Sequence, residues 1–239
     1  GVEPQSETVW RQAERYHVPR MAFVNKMDKT GGDFYMSLDS IHARLNPDAF
    51  AIQLPIGAEA EFKGIIDLVT RKAYIFEGKN GMEVKEIAVP ENMQEKVEEY
   101  RAKLVEKVAE AEDSLMEKFF AEGDLSEEEI KRGIRILTIQ EKMFPVLCGS
   151  ALQNIGVQMV LDAVIAYLPS PQDIGETKGV DPDKGGEIVR KSIDSEPMSA
   201  LVFKIATDPF VGKLTFVRVY SGVLTSGSFV YNATSQKKE

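Results

Sequence analysis

The sequence predicts an α/β fold: a doubly wound parallel sheet with a large α+β insertion, followed by the start of an antiparallel β-barrel. Three observations carry that reading. Two short apolar runs, Met21-Ala22-Phe23-Val24 and Phe144-Pro145-Val146-Leu147-Cys148, stop abruptly at polar or small turn formers, as buried parallel strands do. Helical periodicities flank the first run through tight connections, the rhythm of a doubly wound sheet. Between the two runs the rhythm changes to period-two alternation and then to long charged helices, and from Ser199 onward short strands separated by Gly turns point to a barrel.

Taken in order, Pro4 to Tyr16 reads as a helix with Pro in its first turn and with Val9, Ala13 and Tyr16 at helical spacing. After the first apolar run, Lys29-Thr30-Gly31-Gly32 is a loop and Asp33 caps a helix whose buried stripe is Phe34, Leu38, Ile41 and Leu45. Ile52 to Pro55, Gly64 to Val69, and Lys72 to Phe76 read as strands. Asn80-Gly81 is a hairpin signal leading into Met82 to Ile87. Pro90 opens a helical region in which Met93, Val97, Tyr100, Leu104, Val108, Ala111, Leu115 and Phe119 recur every three or four residues, with a break near Asp113. Ser126-Glu127-Glu128-Glu129 is a capping box, with Leu125 placed to staple onto Ile130. Val157, Val160, Leu161, Val164 and Leu168 mark a last helix, ended by Pro169-Ser170-Pro171. Residues 170–196 are rich in Gly, Pro, Asp and Lys without sustained periodicity and read as a linker. The expected division is 1–48 and 141–169 for the parallel-sheet domain, 49–140 for the insertion, 170–196 for the linker and 197–239 for an incomplete barrel.

Composition narrows the functions available. The 239 residues are 43% hydrophobic and 28% charged, enough to bury a sizeable core. Net charge is -9, and from Glu91 to Lys131 fourteen acidic side chains face six basic ones, which accounts for nearly all of it. No basic patch argues for direct nucleic-acid binding, while an acidic face suits a protein partner. The single cysteine, Cys148, excludes a disulfide framework and fits a reducing cytoplasm. His17 and His42 lack metal-ligand spacing. No apolar run is long enough to span a bilayer, the amino end does not read as a signal peptide, and the start at Gly1 reads as that of an internal fragment.

The informative residues sit at the ends of the two parallel strands, where open α/β sheets bind ligands. After the first comes Asn25-Lys26-Met27-Asp28. The two carboxylate oxygens of Asp28 suit the ring N–H and exocyclic amino group of guanine, a charge-assisted bidentate pair. Asn25 can bond locally and to the base edge, and the aliphatic stem of Lys26 can lie along the purine face. After the second strand, Gly149-Ser150-Ala151-Leu152 exposes backbone N–H groups to a ligand. This is the Asn-Lys-x-Asp pattern of GTPases, in which a Ser-Ala-x turn offers N–H to guanine O6.

Gly1 to Trp10, Phe23 to Asp28, Pro145 to Leu152 and, most distinctively, Asp208-Pro209-Phe210-Val211-Gly212-Lys213-Leu214-Thr215-Phe216 together resemble an internal stretch of the bacterial elongation factor G family of translational GTPases. The resemblance implies the carboxyl-terminal half of a P-loop GTPase domain, binding GTP or GDP through Asn25, Lys26, Met27, Asp28, Ser150, Ala151 and Leu152. It also implies an insertion that touches the ribosomal stalk protein, a cytoplasmic monomer, and a role in moving tRNA and mRNA. No Gly-x-x-x-x-Gly-Lys-Ser/Thr loop occurs, nor the Asp-x-x-Gly segment that would stand between it and Gly1, so Mg²⁺ and catalytic residues are expected only with that missing half. A ribosome-protection or release-factor GTPase would keep the same motifs. A non-catalytic module docking through its acidic helices is the alternative of another class.

Overall fold

Pro4 sets the first turn of α1 (Pro4–Arg15) in the computed structural model, which describes residues 1–181 and 185–239. The helix buries Trp10, whose ring meets Phe144 edge-on at 4.8 Å, and leaves Val9 and Tyr16 exposed. The expected stripe of Val9, Ala13 and Tyr16 is thus not the packed face. The Arg20 guanidinium decides the matter, lying 4.1 Å from the Trp10 ring centre and 4.5 Å from that of Phe144. It also pairs with Glu141 at 3.2 Å and Glu14 at 3.4 Å, fastening α1 to the root of the next strand.

That strand, β1 (Ala22–Val24), leads to α2 (Phe34–Arg44), where the Asp33 carboxylate caps by accepting the Met36 N–H at 2.9 Å. Phe34, Leu38 and Ile41 are buried on α2, and Leu45 is half-buried. After β2 (Ala49–Ala51) the chain builds a four-stranded antiparallel sheet in sequence order from β3 (Gln53–Ile56), β4 (Gly64–Asp67), β5 (Lys72–Glu77) and β6 (Glu83–Ile87). Asn80 and Gly81 stand in the turn between β5 and β6, at φ 59° and 60°.

Three helices follow: α3 (Gln94–Ala109), α4 (Asp113–Glu122) and α5 (Glu127–Ile139). Val97, Leu104, Val108 and Leu115 are buried along the anticipated stripe, with Met93, Tyr100, Ala111 and Phe119 packed beside them. Each such aliphatic side chain contributes about 1.5–3 kcal/mol when fully buried. The capping box at the start of α5 makes both reciprocal bonds, from the Glu129 N–H to Ser126 Oγ at 3.3 Å and from the Ser126 N–H to Glu129 Oε2 at 2.8 Å. Midway along α5, a Cβ on Gly133 would lie 2.5 Å from Val108 Cγ1, so this glycine lets α3 and α5 approach closely.

β7 (Phe144–Cys148) completes a parallel sheet in the order β1-β7-β2. Ala49–Ala51 therefore belongs to this sheet, although the sequence places it in the insertion; two alanines around one phenylalanine are too weak a run to read as a strand. α6 (Val157–Tyr167) buries Ala163 and Tyr167 and packs Met159 and Ala166. Leu161 and Val164, expected in its core stripe, are 60% and 41% exposed. The helix is apolar nearly all round, so periodicity could not select its face. One hydrophobic core links Met27 and Phe34 with Leu54, Ile65, Leu104 and Ile134, so insertion and parallel sheet are packed together within Gly1–Leu168.

The second unit is Pro169–Glu239. Its dominant feature is the antiparallel pair β10 (Ser199–Asp208) and β11 (Gly212–Ser221), preceded by α7 (Pro171–Ile174), β8 (Glu176–Val180) and β9 (Glu187–Lys191) and followed by β12 (Tyr231–Asn232) and β13 (Lys237–Lys238). The Asp208 carboxylate accepts the Phe210 and Val211 N–H groups, each at 2.8 Å, and so forms the turn between β10 and β11. The stretch expected as a linker is not free of structure: β8 pairs with β9, and Lys178 meets Glu187 at 3.0 Å across them. Both strands are largely exposed and charged, which removes the apolar alternation by which sequence reveals a strand. Residues 182–184 of that stretch lie outside the described residues.

Candidate functional site

β1 and β7 run parallel and side by side, with Val24 opposite Cys148, so the turns that leave them emerge at the same sheet edge. Backbone bonds tie the turns together: the Gly149 N–H donates to Val24 O at 3.0 Å and the Met27 N–H to Gly149 O at 3.1 Å. Asn25 adds a side-chain tie, its Oδ1 accepting the Lys26 N–H at 2.8 Å and the Ala151 N–H at 2.9 Å. A Cβ on Gly149 would overlap Ile155 O and come within 2.8 Å of Phe23 Cζ, so the approach of the turns requires glycine there.

The seven candidate residues play different parts in this arrangement. Met27 is buried and contributes its backbone alone. Lys26 is exposed and adopts φ 62°, a left-handed conformation supported by the bond from its own N–H to Asn25. Ser150 is fully buried; its N–H donates to Ile155 O at 2.9 Å and its Oγ accepts the Gln153 N–H at 3.3 Å. The Ala151 N–H, a candidate donor to a base, is engaged by Asn25, whereas the Leu152 N–H donates to none of the described groups. Leu152 is exposed and carries the donor left open in this turn.

Asp28 is the chemically distinctive member. One carboxylate oxygen meets Lys29 Nζ at 3.1 Å, while the other is shut off from water and accepts no hydrogen bond of ordinary geometry. The nearby Ser150 hydroxyl holds the carboxyl below its usual range; desolvation opposes this and Lys29 reinforces it. The carboxylate is thus held ionised with its closed oxygen turned inward and the oxygen beside Lys29 at the small exposed part of the side chain, an acceptor that N–H donors such as those of a guanine edge can use. It does not serve as the cap of α2, since Asp33 does.

Sequence reasoning missed Glu59. Its N–H donates to Met27 O at 2.9 Å and its Oε1 accepts the Gly31 N–H at 2.6 Å, so the insertion grips the Asp28 loop from both sides. Nothing in the local pattern marks a glutamate 31 positions after Asp28 as its neighbour. A separate hollow of about 720 Å³ lies along the outer side of β1, lined by Val9, Trp10, Val18, Phe23 and Ile41 among others; it shares only Asn25 with the candidate site. Among the described residues no cluster of three or more His, Cys, Asp or Glu side chains could hold a metal, and no helix is long and apolar enough to cross a membrane.

Residues 1–170 match the family described as the Elongation factor Tu GTP binding domain, and residues 197–239 match Elongation factor G domain 2. A crystal structure from Thermus thermophilus is similar over 97% of this chain, at 30% identity and a TM-score of 0.76. The chain spans 32% of that protein's length. With most of its residues matched to the GTP-binding domain, this chain belongs to the elongation factor Tu GTP-binding domain family of translational GTPases.

Proposed function

We propose that the chain is the guanine-recognising part of a longer, ribosome-dependent GTPase that promotes movement of tRNA and mRNA during translation elongation, acting as a cytoplasmic monomer. The observation that carries the reading is the joining of the two turns through Asn25, which sets the ionised Asp28 carboxylate and the open Leu152 N–H at one sheet edge. Asp28 selects the base by accepting its N–H groups, the Leu152 amide serves the base carbonyl, and the Lys26 stem covers the ring. GTP is the substrate and GDP the product. The phosphates and Mg²⁺ belong to a phosphate-binding segment, because no Gly-x-x-x-x-Gly-Lys-Ser/Thr run occurs in residues 1–239. Positioning and charge stabilisation at the phosphates supply nearly all catalysis in phosphoryl transfer. The purified 239-residue chain therefore should not turn over GTP, and release of phosphate by it, with contaminating GTPases excluded, would refute this part of the reading.

The insertion supplies the partner surface, a ribosomal stalk protein. Glu95, Glu98, Glu99 and Glu106 all lie exposed on α3; Glu98 already meets Arg71 at 3.3 Å and Glu99 meets Lys103 at 2.6 Å. Glu95 and Glu106 are the better probes for that reason. Reversing both in the parent protein should slow ribosome-stimulated turnover, most at low salt, because screening weakens steering between exposed charges. Turnover equal to wild type at low ionic strength would leave α3 a solvated face without a partner.

A further inference from the structure

The geometry points to Glu59 as a positioning residue for guanine recognition: a side chain of the insertion that holds the Asp28 loop in its binding shape. The inference rests on the guanine reading of Asp28 and gives that site a second support, outside both motif turns. The loop from Lys26 to Gly32 folds on itself through two turn bonds, from the Lys29 N–H to Lys26 O at 3.1 Å and from the Gly32 N–H to Lys29 O at 2.8 Å. Its attachment before Asp28 is at Met27, whose N–H holds Gly149 and whose carbonyl receives the Glu59 N–H at 2.9 Å. Its attachment after Asp28 is at Gly31, whose N–H donates to the Glu59 carboxylate at 2.6 Å. One residue thus fixes the backbone on both sides of the carboxylate that reads the base. A charge-assisted bond to a backbone N–H is the stronger kind.

Backbone strain supports the assignment independently. Glu59 adopts φ 51°, a left-handed conformation unfavourable for a side chain of this kind and retained where surrounding contacts determine it. The approach to it is constrained as well: Gly57 stands at φ 80°, and a Cβ there would overlap the Glu61 carbonyl. The tight Gly57-Ala58 connection after β3 thus delivers Glu59 with its N–H on Met27 and its carboxylate on Gly31.

Three variants of the parent GTPase separate a positioning carboxylate from a merely structural loop residue. Glu59→Gln keeps the acceptor, Glu59→Ala removes it and keeps the strained conformation, and Glu59→Gly removes it while relieving the strain and keeping the N–H bond to Met27. The readout is discrimination between GDP and inosine diphosphate, which lacks the exocyclic amino group that Asp28 accepts, together with the GDP release rate from stopped-flow fluorescence. A loop staple would not change that discrimination. Both Ala and Gly variants should lose about fivefold in the GDP preference and release GDP about fivefold faster, the scale of one hydrogen bond to a charged group partly exposed to water. The Gln variant should stay within about twofold of wild type. If Glu59→Gly keeps the wild-type preference, the carboxylate does not position Asp28 and the inference falls alone. A wild-type protein with no preference for GDP over inosine diphosphate would overturn the Asp28 reading and this inference with it.

Discussion

Asp28→Asn should weaken GDP binding by the parent protein about 100-fold or more and at the same time create affinity for xanthosine diphosphate. The substitution replaces one carboxylate oxygen with an amide donor, which then faces a guanine donor. Losing a charge-assisted bond and burying an unpaired group together cost about 3–5 kcal/mol. Xanthine carries a carbonyl where guanine carries its amino group, so the new donor finds an acceptor there. The structure makes the switch cleaner to read, because Asp28 caps no helix. Titration of both nucleotides against both proteins measures it. A variant that binds more weakly yet still prefers GDP would reduce Asp28 to a turn residue.

Arg101→Met should strongly destabilise the first unit while leaving the candidate site untouched. Arg101 is 4% exposed. Its guanidinium donates to Leu68 O at 2.6 Å, Val69 O at 2.9 Å and Leu125 O at 3.4 Å, and meets Asp124 at 3.1 Å. Methionine fills much of the space but leaves carbonyls at the end of β4 and ahead of α5 without donors. The carboxylate left behind at Asp124 is partly exposed and contributes little once solvent screens it. Two or three unsatisfied buried carbonyls cost about 3 kcal/mol together. For a unit of this size that lowers Tm by about 6–12 °C. Asp124→Asn, which spares the carbonyl bonds, should cost under about 1 kcal/mol. Equal losses from the two substitutions, measured by thermal denaturation, would show the ion pair rather than the carbonyl bonds to be the stabilising part.

Where the sequence was legible, a local rule and the tertiary environment agreed. Asp33, Ser126 with Glu129, and Asn80-Gly81 each act within four residues of themselves, and caps and turns need no distant partner. The Asn25 to Asp28 stretch and the Ser150 turn were legible because each ends an apolar strand, although 122 positions separate Asp28 from Ser150. What sequence could not supply were choices among equals. On α6, with apolar residues on nearly every side, burial of Ala163 and Tyr167 over Leu161 and Ile165 is settled by neighbours. On α1, Trp10 wins over Val9 because Phe144 and Arg20 wait for it more than a hundred and about ten residues away, respectively. The pair β8 and β9 is held by backbone bonds and exposed charges, and Glu59 acts through a contact 28 residues distant, from its carboxylate to the Gly31 N–H.

Cys148 occupies the last position of β7, fully buried, and that burial pushes its thiol up, away from the reactive thiolate. It is the sole sulfhydryl in the chain, so a thiol-directed dye added under native conditions has one target and reaches it only when the strand parts from its neighbours. The labelling rate is thus a clock for opening of the parallel sheet. Because Gly149 and Ser150 come directly after Cys148, the clock keeps time for the turn that leaves β7. Guanine nucleotide bound by the 239-residue chain across that turn and Asp28 should slow it in proportion to occupancy, giving a measure of site closure from the chain's own thiol.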